Sequence, residues 1–438
     1  MVWPYHVHVV GAGIAGLSFG VALAQKAKAS SLHELGPENL RIDEASPTPM
    51  QQGAGIQLGP NVVRLLENQL GLSTVLGKLG FAPRRISLYS MTSGRRLSFL
   101  PLNDFEERYG AKYLTIHRAA LQSALLERLQ GIGYCVNWAS PFGGGLEERL
   151  SHSPSPSHAE TLREALGETE FHEEKTLLVG ADGLRSVCRK LFFETTDNAL
   201  GDKANANLTS PFFTGQLALR SVVTSLQAIP PEHHQEVAVW TAPEHHLVGY
   251  PIFMPEAQGV GLFYNLVGFI KSSSKQVTSQ HNGWTSFATE AQVQSLFKEL
   301  HPSLQWVQQT TRTWSSWPLW ASPVLTSPKN HYKKNVFLLG DAAHAMRPHQ
   351  AQGSAMAIED ACSLAHYLMH GSGTLHERCQ SAASMRWRRN ARVQQQSERN
   401  GKIFQLKGPM AWFRDRALGM AGAQLMDQPW LFKGVMDT

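Results

Sequence analysis

An α/β fold, a Rossmann-type domain with a smaller β-sheet domain interleaved into it and helices at its C-terminal end, is predicted for this 438-residue chain by three observations. An apolar strand, Tyr5 to Val10, runs straight into Gly11-Ala12-Gly13-Ile14-Ala15-Gly16 and an apolar helix pattern through Leu17, Val21 and Leu23. A second apolar run, Val336 to Leu339, ends in Gly340-Asp341 and precedes another helical pattern. Between Thr209 and Pro328 the texture changes to short alternating segments separated by Pro, His and Asn clusters, the pattern of a mostly antiparallel sheet.

The first segment is the dinucleotide fingerprint in its required strand–turn–helix context. Gly11, Gly13 and Gly16 permit the tight turn, the approach of the backbone to a pyrophosphate and close helix packing. The acidic residue expected on the ribose is Glu44, with Asp43 and Glu34 as alternatives. Glu44 lies 28 residues after Gly16, where about 20 is usual, so an extra loop is expected around Ser30 to Asn39. Arg118 opens a strong helical pattern through Leu121, Leu125 and Leu129, where it either solvates the helix or meets the cofactor. Ser151 to His158 and the charged stretch to Lys175 read as a long surface excursion. Leu177 to Ser186 again delivers Asp182 and Gly183 from a buried strand, as a helix-capping turn or a cofactor contact.

Gly215 to Val223, Glu236 to Thr241, Leu247 to Phe253 and Gly259 to Leu266 read as strands of the substrate half. No second G-x-G-x-x-G follows a strand, and Gly143-Gly144-Gly145 lacks the flanking elements, so no separate nicotinamide domain is expected. In the late segment Asp341 is placed to hold a ribityl hydroxyl, and Gln352-Gly353-Ser354 open a helix whose unpaired N–H groups favour negative charge on a reduced flavin. The two nucleotide segments together point to FAD.

Composition narrows the remaining classes. The net charge is +5, but the basic residues are scattered. The densest group, Arg386, Arg388, Arg389 and Arg392, reads as a solvated helical face and not a nucleic-acid site. No twenty-residue apolar run or signal-peptide layout is present. Cys135, Cys188, Cys362 and Cys379 form no C-x-x-C, which points to a reducing, cytoplasmic setting without a metal site. The pairs His233-His234 and His245-His246 read as loop residues.

The ordered set of Gly11 to Gly16, Arg118, Gly180 to Ser186 and Gly340 to Ala361 resembles the flavoprotein aromatic hydroxylases, the single-component FAD monooxygenases, most closely those of salicylate hydroxylase and fungal phenol hydroxylase type. The resemblance implies FAD domain segments 1–82, 111–205 and 331–385, substrate segments 83–110 and 206–330, and a C-terminal segment 386–438, whose residue pattern reads as basic helices with Trp387, Trp412 and Phe413 expected to pack on the flavin domain. It implies that Gly11, Gly13 and Gly16 face pyrophosphate, Glu44 the ribose, Arg118 the ribityl–phosphate region, Asp182 both FAD and NAD(P)H, and Asp341 the ribitol or pyrophosphate. Gly55, Gln352, Gly353 and Ser354 join these cofactor contacts, and Pro348 borders the oxygen-reactive face. NAD(P)H would reduce FAD, O₂ would be captured as a C4a-hydroperoxide, and a phenolic or other aromatic substrate would be hydroxylated. Arg220 would favour the phenolate, although it also suits an outward strand position, and Tyr250 would orient the ring or simply fill the core. His344 and His349 are acid–base or structural. Two departures are Ala351, where many members have Gly, and Leu219-Arg220-Ser221, where many have Tyr-Arg-Gly. The same cofactor motifs would serve an epoxidase or ring-expanding oxygenase acting on an alkene or polyketide, or a flavin-binding protein without turnover. A monomer or homodimer without integral membrane association is expected.

Overall fold

The computed structural model describes residues 3–30, 35–50, 55–142, 174–194, 210–256, 259–273 and 286–434. Glu34, Gly143 to Gly145 and the Ser151 to His158 excursion lie outside the described residues. In chain order the strands and longer helices begin with β1 (His6–Val10), α1 (Ile14–Ala29), β2 (Leu40–Asp43), β3 (Gly55–Leu58), β4 (Arg85–Ser90), β5 (Arg96–Pro101), β6 (Leu114–His117), α2 (Arg118–Ile132), β7 (Thr176–Gly180) and α3 (Val187–Glu194). There follow β8 (Phe212–Val223), β9 (Glu236–Ala242), β10 (His245–Glu256), β11 (Gly259–Lys271), β12 (Ser286–Phe287), β13 (Ser315–Ala321), β14 (Tyr332–Lys333), β15 (Val336–Leu338), α4 (Gly353–His370), α5 (Leu375–Phe404) and α6 (Pro409–Met426).

The valine-rich β1 sits inside a five-stranded sheet of order β14-β15-β7-β1-β2, parallel except for the β14–β15 hairpin. Strands buried on both faces need continuous apolar runs, and β1, β7 and β15 supply them. Helices α1 and α4 pack on each other within the same core cluster. The second sheet has the order β12-β13-β8-β11-β10-β9-β4-β5 and is antiparallel except where β4 runs beside β9. Residues 85–101 therefore join a sheet whose other strands come from 212–321. The small β3–β6 ladder pairs Gly55 with His117, one residue before α2 begins.

β10 and β11 are longer than their sequence segments indicated, 12 and 13 residues, and pair from His246–Phe269 to Glu256–Gly259. Pro251 does not break β10 because pairing with β9 stops at Gly249, leaving a neighbour on one side only, where proline is tolerated. Helix α5 is a single 30-residue element that begins at Leu375 and runs unbroken through 386.

Three expectations from sequence are corrected. His245 and His246 belong to β10 and are buried, whereas His233 and His234 stay in a turn outside the strands, with His233 2.7 Å from Glu236. Arg386 is fully buried and Arg389 partly so, because carboxylates of α4 neutralise them, so of the four arginines only Arg388 and Arg392 form a solvated face. Trp412 and Phe413 are 55% and 60% exposed, and do not pack into the flavin half.

Candidate functional site

The glycine loop shows which glycines serve the fold and which leave room for a ligand. Gly11 has φ +101, and a Cβ there would lie 2.5 Å from the carbonyl oxygen of Ala181. At Gly16 a Cβ would come within 1.9 Å of the Gly11 oxygen. At Gly13 it would meet no atom within 4 Å, although the residue lines the central cavity. Gly13 also caps α1 without a side-chain bond, and no acidic residue occupies the first turn, so the helix presents N–H groups and positive potential to that space. An open glycine at a helix N-terminus suits a pyrophosphate.

Glu44 follows β2 and accepts from Ala12 N at 2.8 Å and Ser46 N at 2.9 Å. The alternative, Asp43, is already engaged by His8 at 2.7 Å, Asn137 at 2.8 Å and Arg41. Burial would raise the Asp43 carboxyl, but these donors hold it well below the usual range. Arg118 opens α2, stays exposed and lines the cavity. Asp182 accepts from Ser186 Oγ, Val187 N at 2.7 Å and Cys188 N at 3.1 Å, so its oxygens cap α3 while the residue borders the cavity. Burial raises its pKa despite those bonds.

Gly340 turns the chain at φ +55, ψ −134, and a Cβ there would press on Ala357 at 2.9 Å. The turn leaves Asp341 exposed at the cavity wall. Beneath it His344 Nε2 donates to Asp360 Oδ2 at 2.5 Å, and Arg386 Nε and Asn390 Nδ2 donate to Asp360 Oδ1, both at 2.8 Å. Burial would push Asp360 up, but His344 and Arg386 hold it far below the ordinary carboxylate range. Arg386 and Arg389 also clamp Glu359, which accepts from Asn61 at 2.7 Å. His331, His344 and Asp360 are close enough to share a metal ion, but Arg386 and Asn390 already hold the carboxylate, so this is a salt-bridge network. It fixes the turn that carries Asp341.

Pro348 lies exposed at the cavity, followed by Ala351, whose φ of +54 is left-handed. Gln352 is buried, accepts from Asn61 Nδ2 at 3.3 Å, and leads into Gly353 and Ser354 at the start of α4. All five residues line the same cavity, of about 1340 Å³. Single-ligand pockets run to about 1,000 Å³, so there is room here for a dinucleotide beside an organic guest. The opposite wall is the second sheet. Tyr250 donates to the Gly55 carbonyl at 2.6 Å, and Asn265 Oδ1 accepts from Gly55 N at 3.2 Å and Arg220 Nε at 3.3 Å. A Cβ on Gly55 would strike the Tyr250 ring at 2.7 Å. Gly55 and Tyr250 line the cavity, whereas Arg220, half-buried behind Asn265, does not.

A family described as FAD binding domain matches residues 4–392. The chain is 28% identical over 367 residues to 6-hydroxynicotinate 3-monooxygenase of Bordetella bronchiseptica, covering 82% of this chain and 81% of that protein. It is 27% identical to salicylate hydroxylase of Pseudomonas putida, covering 99% and 93%. The chain belongs to the FAD-binding family of flavoprotein aromatic hydroxylases. The fold is shared with a solved salicylate hydroxylase substrate complex at TM-score 0.68, 19% identity and coverage of 98% and 97%. It is also shared with Klebsiella pneumoniae HpxO complexed with FAD and uric acid at TM-score 0.70, 17% identity and coverage of 96% and 95%.

In this aromatic-hydroxylase chain three polar groups at the site carry no sequence motif: Gln122, Gln216 and Gln405. Gln122, buried on α2, donates to the Ala12 oxygen at 2.8 Å and steadies the glycine loop. His246 stacks on Phe269 with centroids 4.4 Å apart, and the His349 ring lies 5.0 Å away. A hydrogen-bond chain joins the two histidines: His349 Nε2 to Gln216 Oε1, Gln216 Nε2 to Gln405 Oε1, and Gln405 Nε2 to His246 Nδ1. With the amides so oriented, neutral His349 carries its proton on Nε2 and neutral His246 also on Nε2. Burial lowers His349 to about 3 and His246 well below its ordinary value, so both are uncharged at neutral pH. One signal was available: alternation along β10 puts His246, Val248 and Tyr250 on one face, and all three line the cavity.

Proposed function

We propose that this FAD-dependent monooxygenase uses NAD(P)H and dioxygen to hydroxylate a phenolic compound bound between the glycine-loop half and the β10–β11 wall. The observation that carries this reading is the single cavity lined both by Gly13, Asp341 and Pro348 and by Val248, Tyr250 and Phe269. Gly13 at the α1 N-terminus would hold the pyrophosphate of FAD, with Gly11 and Gly16 shaping the turn that presents it, Glu44 the ribose, Arg118 and Asp341 the ribityl–phosphate region, and the α4 N-terminus with Gln352, Gly353 and Ser354 the flavin ring. When bound, FAD supplies the electron transfer and oxygen activation that side chains alone do not perform.

The chain contributes placement, dryness and charge. Tyr250 offers its ring as a wall, since its hydroxyl is engaged by Gly55. Burial lowers the Arg220 pKa and raises that of Tyr250. Arg220 remains the cation behind this wall and favours an ionised phenol through its field rather than by contact. The four cysteines, none in a disulfide, fit a reducing compartment, and we assign the enzyme to the cytoplasm. No helix among the described residues is long and apolar enough to cross a membrane.

The test is anaerobic reduction of the FAD-loaded protein by NADH and NADPH, with and without phenols. Faster flavin bleaching with at least one phenol is expected. Reduction that no phenol accelerates, followed on aeration by no oxygenated product, contradicts the proposal.

A further inference from the structure

The substrate side of the cavity is far longer than one aromatic ring. Its floor is the second sheet, where Ile86 and Leu88 of β4, Val239 of β9, Val248 of β10 and Trp317 and Leu319 of β13 line the space. Five strand-to-strand steps separate β4 from β13, and at about 4.8 Å each they span about 24 Å. Helix α6 forms a roof from Met410 to Met426, which at about 1.5 Å per residue is again about 24 Å. The roof is fixed at its far end, where Tyr109 donates to Asp427 at 2.5 Å.

The surface of this slot is apolar and partly uncovered. Met410, Phe413 and Leu425 are 57%, 60% and 59% exposed, yet all three line the cavity. No Asp, Glu, Lys or Arg of the sheet lines the floor. The roof's Arg414 is tied to Asp415 at 2.8 Å and to the Phe404 carbonyl at 2.8 Å, closing the α5–α6 joint. Leu88 and Val239 of the floor already pack on Leu418 of the roof, so a ring-sized acid would leave uncovered mainly Met410, Phe413 and Leu425, and the arginines that line the cavity, Arg118, Arg347, Arg399 and Arg414, all lie off the floor.

We infer that the substrate is a phenol without a carboxylate that bears a long apolar substituent, the ring against Tyr250 and the substituent between the sheet floor and α6; this rests on the hydroxylase reading above. Each buried methylene contributes about 0.8 kcal/mol, or about fourfold in affinity.

The experiment titrates FAD-loaded protein calorimetrically with para-alkylphenols from methyl to heptyl and with 3-hydroxybenzoate, and follows phenol-stimulated NAD(P)H oxidation in parallel. The Kd is expected to fall about fourfold per added methylene, and 3-hydroxybenzoate is expected to bind more weakly than the longer phenols. Phe413→Glu and Leu425→Glu, substitutions at exposed positions, should flatten that dependence with flavin still bound. A flat series in the wild-type protein, or a gradient that both variants retain, overturns the inference even where NAD(P)H oxidation is brisk. A graded series with no phenol stimulating NAD(P)H oxidation contradicts the hydroxylase reading instead.

Discussion

The Tyr250 hydroxyl donates to the carbonyl of Gly55 at 2.6 Å, joining the substrate sheet to the small β3–β6 ladder that leads into Arg118. The two residues are expected from sequence to serve different partners, one the substrate and the other the cofactor, and they hold each other. Tyr250→Phe leaves a buried carbonyl without that donor, at a cost of about 1–3 kcal/mol. A lowered thermal midpoint with FAD retained is expected. An unchanged midpoint with hydroxylation abolished would assign the hydroxyl to the substrate instead.

Ala351 stands at φ +54 in the turn where Ala351 N donates to the Pro348 oxygen at 3.1 Å. A left-handed conformation costs a residue with Cβ about 1–2 kcal/mol, partly offset in glycine by its greater unfolded-state entropy. Ala351→Gly is therefore expected to leave stability unchanged or raise it by up to about 1 kcal/mol. Ala355→Gly, inside α4, should lower it by about 1 kcal/mol. Urea titrations of both variants check the contrast, and equal losses at the two positions would count against it.

Arg386 separates a buried charge network from a surface helix. Its guanidinium donates to Glu359 at 2.6 Å and Asp360 at 2.8 Å with no exposure to solvent. Arg386→Met leaves two buried carboxylates short of a partner and is expected to destabilise by about 3–5 kcal/mol. Arg388→Met, on the exposed side of the same helix, should stay within about 0.5 kcal/mol. Denaturant midpoints distinguish them.

The flavin loops were legible because their signals are local: glycines at fixed offsets after apolar strands, and Asp341 straight after Gly340. The Arg386 network was not, because four arginines on one helix read as solvated until Glu359 and Asp360 of another helix arrive beside them. His246 was missed for a related reason. A His-His pair near Pro243 looks like a loop, and only pairing with β9 and β11 buries it. Arg220 could be placed on its strand but not relative to the cavity, since Asn265, 45 residues away, intercepts its Nε.

Those buried histidines set an acid limit. Burial lowers His331 to about 4 and His349 to about 3 from an ordinary 6.5, and holds His246 well below its ordinary value. Above pH 6.5 both folded and unfolded states are neutral at these sites. Below it the unfolded chain binds more protons, so stability falls with pH until each folded value is reached, by about 1.4 kcal/mol per pH unit for each histidine. Urea midpoints are expected to drop between pH 6.5 and 4. A midpoint constant over that range would show that these side chains are not held neutral.

The most direct measurement of the central claim is the fate of isotopically labelled dioxygen. FAD-loaded enzyme, NAD(P)H and a phenol that stimulates NAD(P)H oxidation are incubated under heavy dioxygen, and the product is weighed by mass spectrometry. One heavy oxygen atom in a ring hydroxyl is the predicted result; consumption of NAD(P)H with unlabelled or unchanged phenol would contradict it.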